Sequence, residues 1–158
     1  MSRGPFTPAL NSQKYTVAPE MSWIDRLPHR PPMRLVEEVV HLTPGDSAVG
    51  RRTVRPDDFF LDGHFPGQPV VPAIILVELL AQTGGLAAGS LSAEEAHEPI
   101  QFRVASIGAF KFLFPVTPGA MLEAHARVLK QLGRLYKIEG EVTADGRVAA
   151  VGSLTLAG

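Results

Sequence analysis

The sequence predicts an α+β fold in which one long helix is wrapped by a largely antiparallel β-sheet of five or six strands. The helix is predicted over Ala73–Gly89, because this stretch is apolar on almost every side and such a helix is normally enclosed by protein. The sheet is predicted because the remaining chain consists mainly of alternating segments separated by turn signals such as Asp145-Gly146. A length of 158 residues with 45% hydrophobic and 20% charged content suits one domain with its own core.

The N-terminal region is predicted to be an arm followed by a short helix. Residues Met1 to about Pro19 are rich in proline and polar residues without a period, so we expect a flexible arm over residues 1–19 and a single domain over residues 20–158. Glu20–Leu27 is predicted to form a short helix with Ser22 as its N-cap and Pro28 ending it.

The first two strands are predicted to form a hairpin. Arg34–His41 and Ser47–Val54 flank the turn signal Thr43-Pro44-Gly45-Asp46. The second of these segments and the residue after it carry a cluster of basic residues, Arg51, Arg52 and Arg55. We interpret this cluster as a solvated strand face, and an anion-binding patch is the alternative.

The chain after the long helix is predicted to be a meander of strands that begins after a polar connection over Ser90–Glu98. Four segments are predicted as strands, over Pro99–Phe114, Ala120–Leu132, Leu135–Thr143 and Arg147–Leu156. The period of the second segment also suits a helix, but the hairpin signals on both sides of it favour a strand. A further turn is predicted at PVTPG, between the first two of these strands.

Composition and charge argue against several classes of function. The formal net charge of −1 argues against nucleic acid or an anionic membrane as the partner. Cysteine is absent, so disulfides and thiolate chemistry are excluded and a cytoplasmic location is expected. The N-terminus has no continuous apolar region typical of a signal peptide. The apolar stretch after Pro69 could span a bilayer by length, but Pro72, Glu78, Gln82 and the Gly84-Gly85 pair favour a buried helix of a soluble protein.

The histidines do not predict a metal site. The five histidines, at positions 29, 41, 64, 97 and 125, lack the short spacings of a ligand cluster. His29 lies in the proline-rich turn LPHRPPM, where we expect its ring to bond to neighbouring backbone, with a ligand role as the alternative. His125 is expected to be a surface or edge residue. The chain also lacks a G-x-S-x-G elbow and a phosphate-binding loop, so proton transfer is the remaining chemistry.

Two residues suit proton transfer, His64 in the segment GHFPG and Glu78 on the predicted helix. Imidazole is a natural base near neutral pH, and a carboxyl group in an apolar pocket can stay protonated and act as an acid. The N–H groups at the start of the helix, after Pro72, suit a developing oxyanion. The pattern alone leaves open that His64 is a core histidine without a catalytic role.

Residues Leu27 to Gly119 resemble the 3-hydroxyacyl-[acyl-carrier-protein] dehydratases of the FabZ type in the order and spacing of their motifs. The motifs are LPHRPPM with LVEEVV, FFLDGHFPGQPVVP, ILVELLAQTGG and AFKFLFPVTPG. The resemblance implies a hotdog fold, in which a curved antiparallel sheet surrounds a central helix. It also implies a homodimer or a trimer of dimers with active sites at the dimer interface. The implied substrate is a thioester on acyl carrier protein or coenzyme A, and no cofactor or metal is implied.

The resemblance also implies roles for individual residues. His64 would remove the C2 proton of a 3-hydroxyacyl thioester, and Glu78 of the partner subunit would help to expel the C3 hydroxyl as water. The remaining residues implied at the site bind the substrate. Backbone N–H groups near Gly67 and Ala73 would polarise the thioester carbonyl, Gln82 would bond near Glu78, and the acyl chain would contact Phe59, Phe60 and Phe65.

Three departures from the family pattern indicate a divergent member. Ala73 stands where the family usually has glycine, and Leu113-Phe114 stand where it usually has two basic residues that meet the carrier protein. The acidic residues usual around Gly108-Ala109 are missing. Two alternatives remain at this point: a hotdog thioesterase, which also carries a carboxylate on the central helix, and a non-catalytic hotdog binding or partner subunit.

Overall fold

A computed structural model describes residues 22–89 and 100–158. These residues form one α-helix, α1, over Ala73–Gly89, and two single-turn 3-10 helices, over Trp23–Arg26 and Phe59–Leu61. Their six strands are β1 (Glu38–Thr43), β2 (Ser47–Thr53), β3 (Arg103–Phe112), β4 (Met121–Leu132), β5 (Leu135–Ala144) and β6 (Arg147–Ala157). The predicted arm and the predicted Ser90–Glu98 connection lie outside the described residues.

The six strands form one antiparallel sheet in the order β1-β2-β4-β5-β6-β3. The prediction of a strand over 120–132 is confirmed, since β4 pairs with β2 on one side and β5 on the other. The β5–β6 hairpin is also confirmed: Asp145 and Gly146 at its turn have φ angles of 50° and 80°, and such left-handed turns match the twist of the strands. His125 lies on β4, an inner strand of the sheet, so it is not an edge residue; its side chain is partly exposed, at 18%.

Helix α1 forms over the predicted residues and packs against the sheet, chiefly on β4, β2 and β5. Most of its side chains are buried, as its apolar sequence predicts. The facing strands contribute small residues that are fully buried, including Ala124, Ala126 and Ala150. Across residues 22–89 and 100–158, no helix combines the length and the hydropathy that crossing a bilayer requires.

The short N-terminal helix is bonded to the carboxyl end of α1. Its single turn over Trp23–Arg26 is shorter than predicted, and the Ser22 side chain makes no capping hydrogen bond. The Arg26 side chain is buried, and its guanidinium donates a 3.0 Å hydrogen bond to the carbonyl of Gly89, the last residue of α1. A cation near the carboxyl end of a helix also interacts favourably with the helix dipole.

Strand β1 begins at Glu38 rather than at the predicted Arg34 because a side chain takes the place of a neighbouring strand. The amide oxygen of Gln82 accepts hydrogen bonds from the backbone N–H groups of Leu35 at 2.9 Å and Val36 at 3.4 Å. These buried donors are therefore satisfied by α1 and not by the sheet.

The basic cluster on and just after β2 is paired with carboxylates. The ion-pair partners are Glu38 and Glu123 for Arg51, Asp58 and Glu37 for Arg52, and Glu37 for Arg55. Burial raises the pKa of Glu37, but the hydrogen bond from Arg55 and the charges of Arg52 and Arg55 outweigh it, so the pKa lies below its usual value. Since Arg52 is buried, the prediction of a solvated face was wrong for this residue.

The adjacent helix glycines Gly84 and Gly85 give a test of the helix–sheet packing. A Cβ atom on Gly84 would lie 2.8 Å from Ile138 Cγ2 on β5, whereas one on Gly85 would meet its nearest atom, Phe102 Cδ2, at 3.8 Å. Gly84→Ala is expected to lower the free energy of unfolding by about 1–3 kcal/mol through overpacking. Gly85→Ala, the matched control, is expected to raise it by up to about 1 kcal/mol through helix propensity. Urea denaturation measures both, and equal effects would contradict the close approach.

Candidate active site

His64 lies in a tight turn that fixes the tautomer of its ring. The turn has left-handed glycines on both sides of the histidine, Gly63 with φ 75° and Gly67 with φ 72°, a conformation that glycine adopts at little cost. The Nδ1 atom of His64 lies 2.8 Å from the carbonyl oxygen of Val70. A carbonyl oxygen only accepts hydrogen bonds, so Nδ1 carries the proton. The lone pair of the neutral ring is then on Nε2, where it can act as a base.

The three phenylalanines that were expected to contact substrate have different environments. Phe65 stacks on the His64 ring, with the ring centres 4.2 Å apart, and is 57% exposed. Phe59 is also exposed. Phe60 is buried in the core beneath the guanidinium of Arg52, which lies 5.4 Å from its ring centre. The turn therefore presents Phe65, and not Phe60, beside the histidine.

Helix α1 begins beside this turn and leaves two candidate donors available. The N–H of Val71 donates to the carbonyl of Val116, and the first paired N–H of the helix is that of Ile75, which bonds to Pro72. Within the described residues, the N–H groups of Gly67 and Ala73 donate no hydrogen bond. Free backbone N–H groups at a helix start suit negative charge on a ligand.

Glu78 and Gln82 lie four residues apart on one face of α1, as their spacing predicts. The Gln82 side chain donates to Glu78 Oε1 at 2.9 Å and to the carbonyl of Met33 at 2.8 Å. Its oxygen is held by the N–H groups of Leu35 and Val36. The backbone partners fix which end of the amide faces Glu78, and Gln82 is only 2% exposed.

His29 is the residue at this site that sequence reasoning missed. Its Nε2 atom lies 3.4 Å from Glu78 Oε1, so the prediction that its ring bonds to neighbouring backbone was wrong. Two features of the sequence could have pointed to this contact. An acid on an otherwise buried helix needs polar partners, and His29 is held in a rigid proline-rich turn. The sequence alone does not show that this turn packs on the helix.

Glu78, His29 and Gln82 line a cavity of about 320 Å³. The rest of the described lining is mainly apolar but includes Arg103; its other members are Leu27, Pro28, Ala81, Gly85, Ile100, Phe102, Val104 and Leu156. His64 does not line this cavity. The single chain therefore brings Glu78 together with His29 and Gln82, and it does not place His64 with them.

Comparison with known structures identifies the fold class. The dehydratase heterocomplex ApeI:P from Xenorhabdus doucetiae superposes with a TM-score of 0.71 at 25% identity, covering 85% of this chain and 89% of that chain. A mutant of the phenylacetic acid degradation protein PaaI from Thermus thermophilus superposes with a TM-score of 0.56 at 24% identity, covering 76% of this chain and 90% of that chain. The one α-helix and the six-stranded antiparallel sheet formed by the described residues are those of a hotdog fold, as the resemblance implied.

Sequence comparison identifies the family within that class. The FabA-like domain model matches residues 27–153. The 3-hydroxyacyl-[acyl-carrier-protein] dehydratase FabZ of Nitratidesulfovibrio vulgaris strain DP4 is 41% identical over 131 residues, 83% of this chain and 84% of that protein. The FabZ of Anaeromyxobacter sp. strain K is 41% identical over 125 residues, 78% of this chain and 80% of that protein. The chain belongs to the FabA-like family and groups with its FabZ dehydratases.

Proposed function

We propose that this protein dehydrates a 3-hydroxyacyl thioester of acyl carrier protein to the trans-2-enoyl thioester, in fatty acid or related lipid biosynthesis. Its FabZ relatives carry the name of this activity. The structural observation that carries the proposal is the hydrogen bond from His64 Nδ1 to the carbonyl of Val70, because in the neutral ring it leaves the lone pair on Nε2, where it can accept a proton.

The first half of the proposed reaction takes place at C2. His64 Nε2 accepts the C2 proton, and the electron pair of the C–H bond delocalises onto the thioester carbonyl. The free N–H groups of Gly67 and Ala73 would stabilise the charge that develops on that oxygen. The methyl group of Ala73 does not block this role, since the N–H is retained and the residue is exposed.

The second half takes place at C3. Glu78, protonated before the reaction, donates its proton to the C3 hydroxyl, the C–O bond breaks and water leaves. The electron pair at C2 then forms the C2–C3 double bond. In each turnover His64 gains one proton and Glu78 loses one. Both residues return to their starting states when the proton on His64 is passed to Glu78 through solvent.

The proposed assembly is a homodimer whose active sites each use two chains. In the described sheet, β3 bonds only to β6, and its other edge carries the exposed apolar residues Val104, Ile107 and Phe112. Val104 also lines the Glu78 cavity. A second copy docked along β3 would cover this apolar surface and bring its own His64 turn toward the cavity. The homodimer would thus complete the site that one chain leaves incomplete.

The activity is tested with purified protein and 3-hydroxyacyl thioesters of acyl carrier protein. Formation of the conjugated enoyl thioester is measured by ultraviolet absorbance. His64→Ala and Glu78→Gln are each expected to lower kcat by about 10²–10⁴-fold, because each removes a proton-transfer group. His41→Ala is the control, since His41 lies on β1 and contacts Thr43. Release of free thiol without enoyl product would identify a thioesterase and contradict the proposal.

The shared site is tested by mixing two inactive variants. When His64→Ala and Glu78→Gln chains are refolded together, random pairing is expected to restore about a quarter of the wild-type rate, since half of the dimers are mixed and each of these has one intact site. Each variant refolded alone stays inactive. Native mass spectrometry confirms that mixed dimers form. Mixed dimers without activity would show that both residues act within one chain.

The surface beside the His64 turn is the proposed docking site for the carrier. Val71, at the end of the turn, bonds to Val116, and the chain just before Val116 exposes Leu113. The guanidinium of Arg147 lies 4.1 Å from the centre of the Phe114 ring. Arg147 thus provides positive charge where the family usually has basic residues at 113 and 114, and Lys111 is exposed on the same segment.

The docking surface is tested by charge reversal. Arg147→Glu is expected to raise KM for an acyl-carrier-protein substrate by about tenfold or less while leaving kcat unchanged, because rim charges act mainly on association. KM for the matching coenzyme A substrate, which lacks the acidic protein, should change less. Lys137→Glu makes the same charge change near the other end of the β5–β6 hairpin and is the control. Equal effects of the two substitutions would argue against this surface.

A further inference from the structure

We propose that His29 is a positioning residue for Glu78, and that it acts with Gln82 to place the transferable proton on Oε2, the carboxyl oxygen to which no described residue donates a hydrogen bond. This inference rests on the proposed function, because it assigns the orientation of the group that protonates the C3 hydroxyl. Three features support it: the rigidity of the turn that carries His29, the environment of its second ring nitrogen, and the unequal contacts of the two Glu78 oxygens.

The turn that carries His29 is held by its own side chain–backbone bonds. The guanidinium of Arg30 donates to the carbonyls of Leu27 at 2.7 Å and His29 at 2.8 Å. The N–H of Arg34 donates a 3.0 Å hydrogen bond to the carbonyl of Arg30, which closes the turn. Prolines on both sides restrict the backbone further. The imidazole is therefore presented to Glu78 from a fixed backbone.

The second ring nitrogen selects the tautomer of His29. Nδ1 is buried and has no hydrogen-bond partner among the described residues. A buried N–H without an acceptor is costly. In the neutral ring the proton is therefore favoured on Nε2, the atom 3.4 Å from Glu78 Oε1. In this form His29 can donate to Glu78, and the contact can shorten when substrate fills the cavity.

The two oxygens of Glu78 are consequently unlike. Oε1 faces two donors, the Gln82 amide at 2.9 Å and His29 Nε2. No hydrogen bond reaches Oε2 from the part of the chain that the structure describes. In a protonated carboxyl, the carbonyl oxygen is the better acceptor and the hydroxyl oxygen the donor. Two donors at Oε1 therefore make it the carbonyl oxygen, and the proton resides on Oε2.

This arrangement gives the two partners of Glu78 different tasks. Gln82 is anchored to the backbone at Met33, Leu35 and Val36, so it fixes the position of Oε1. His29 approaches Oε1 from the separate turn and limits rotation of the carboxyl about its last bond. Loss of His29 would leave Glu78 present and still able to be protonated, but free to turn Oε2 away from the substrate.

Four variants in the dehydratase assay test this inference. His29→Leu removes the donor, His29→Asn keeps an amide that is too short to reach Glu78, and His29→Gln places an amide nitrogen near the position of Nε2. His29→Leu and His29→Asn are expected to lower kcat by about 10–100-fold with little change in KM, because a misplaced proton donor slows the chemical step. His29→Gln is expected to stay within about threefold of wild type. His41→Leu is the control outside the site.

The outcomes separate a positioning role from a structural one. Circular dichroism establishes that each variant is folded; should His29→Leu not fold, the comparison of His29→Asn with His29→Gln decides, since both are polar. Equal losses in these two variants, or wild-type kcat in His29→Asn, would overturn the inference. A wild-type protein that turns over no substrate would instead contradict the proposed function itself.

Discussion

The structure depends on how one carboxylate is accommodated on a helix that is otherwise buried. Glu78 is 25% exposed, and its neighbours on α1 are nearly all enclosed. An isolated acid in such surroundings is unfavourable, so polar partners must come from other segments. Gln82 supplies one partner and, through its backbone bonds, attaches the segment before β1 to the helix. The bonds from the N–H groups of Leu35 and Val36 to Gln82 also delay the start of β1, so this one side chain shapes both the cavity and the edge of the sheet.

The close packing of α1 against the sheet explains why the site lies toward β3. Glycine and alanine on the central strands let the helix approach β2, β4 and β5 closely. The cavity forms on the side of α1 nearest Phe102 and Val104, at the start of the edge strand. A site at an edge strand is accessible to a second chain, which agrees with the proposed use of His64 from the partner subunit.

Local patterns predicted most of the fold. The bounds of α1, the strand at β4 and the turn at Asp145-Gly146 follow from apolar periodicity and turn chemistry, which act over a few residues. The late start of β1 and the contact of His29 with Glu78 could not be predicted from local patterns, because both depend on contacts between residues 46 or more positions apart. Sequence chemistry and the family resemblance singled out His64 and Glu78, and their catalytic roles stay a proposal. The burial of Arg52 could not be predicted, since it requires Asp58 to fold back against it.

The buried amide of Gln82 has a consequence for the chemical ageing of the protein. Glutamine side chains can hydrolyse slowly to glutamate and are counted among the thermolabile residues. At this position the change would put a second carboxylate where Gln82 now donates at 2.9 Å to Glu78, and opposite the Met33 carbonyl at 2.8 Å. Exclusion of water from this side chain, which is 2% exposed, would slow that hydrolysis. Burial thus protects position 82 from a change that would repel Glu78, whereas exposed glutamines such as Gln131 lack this protection.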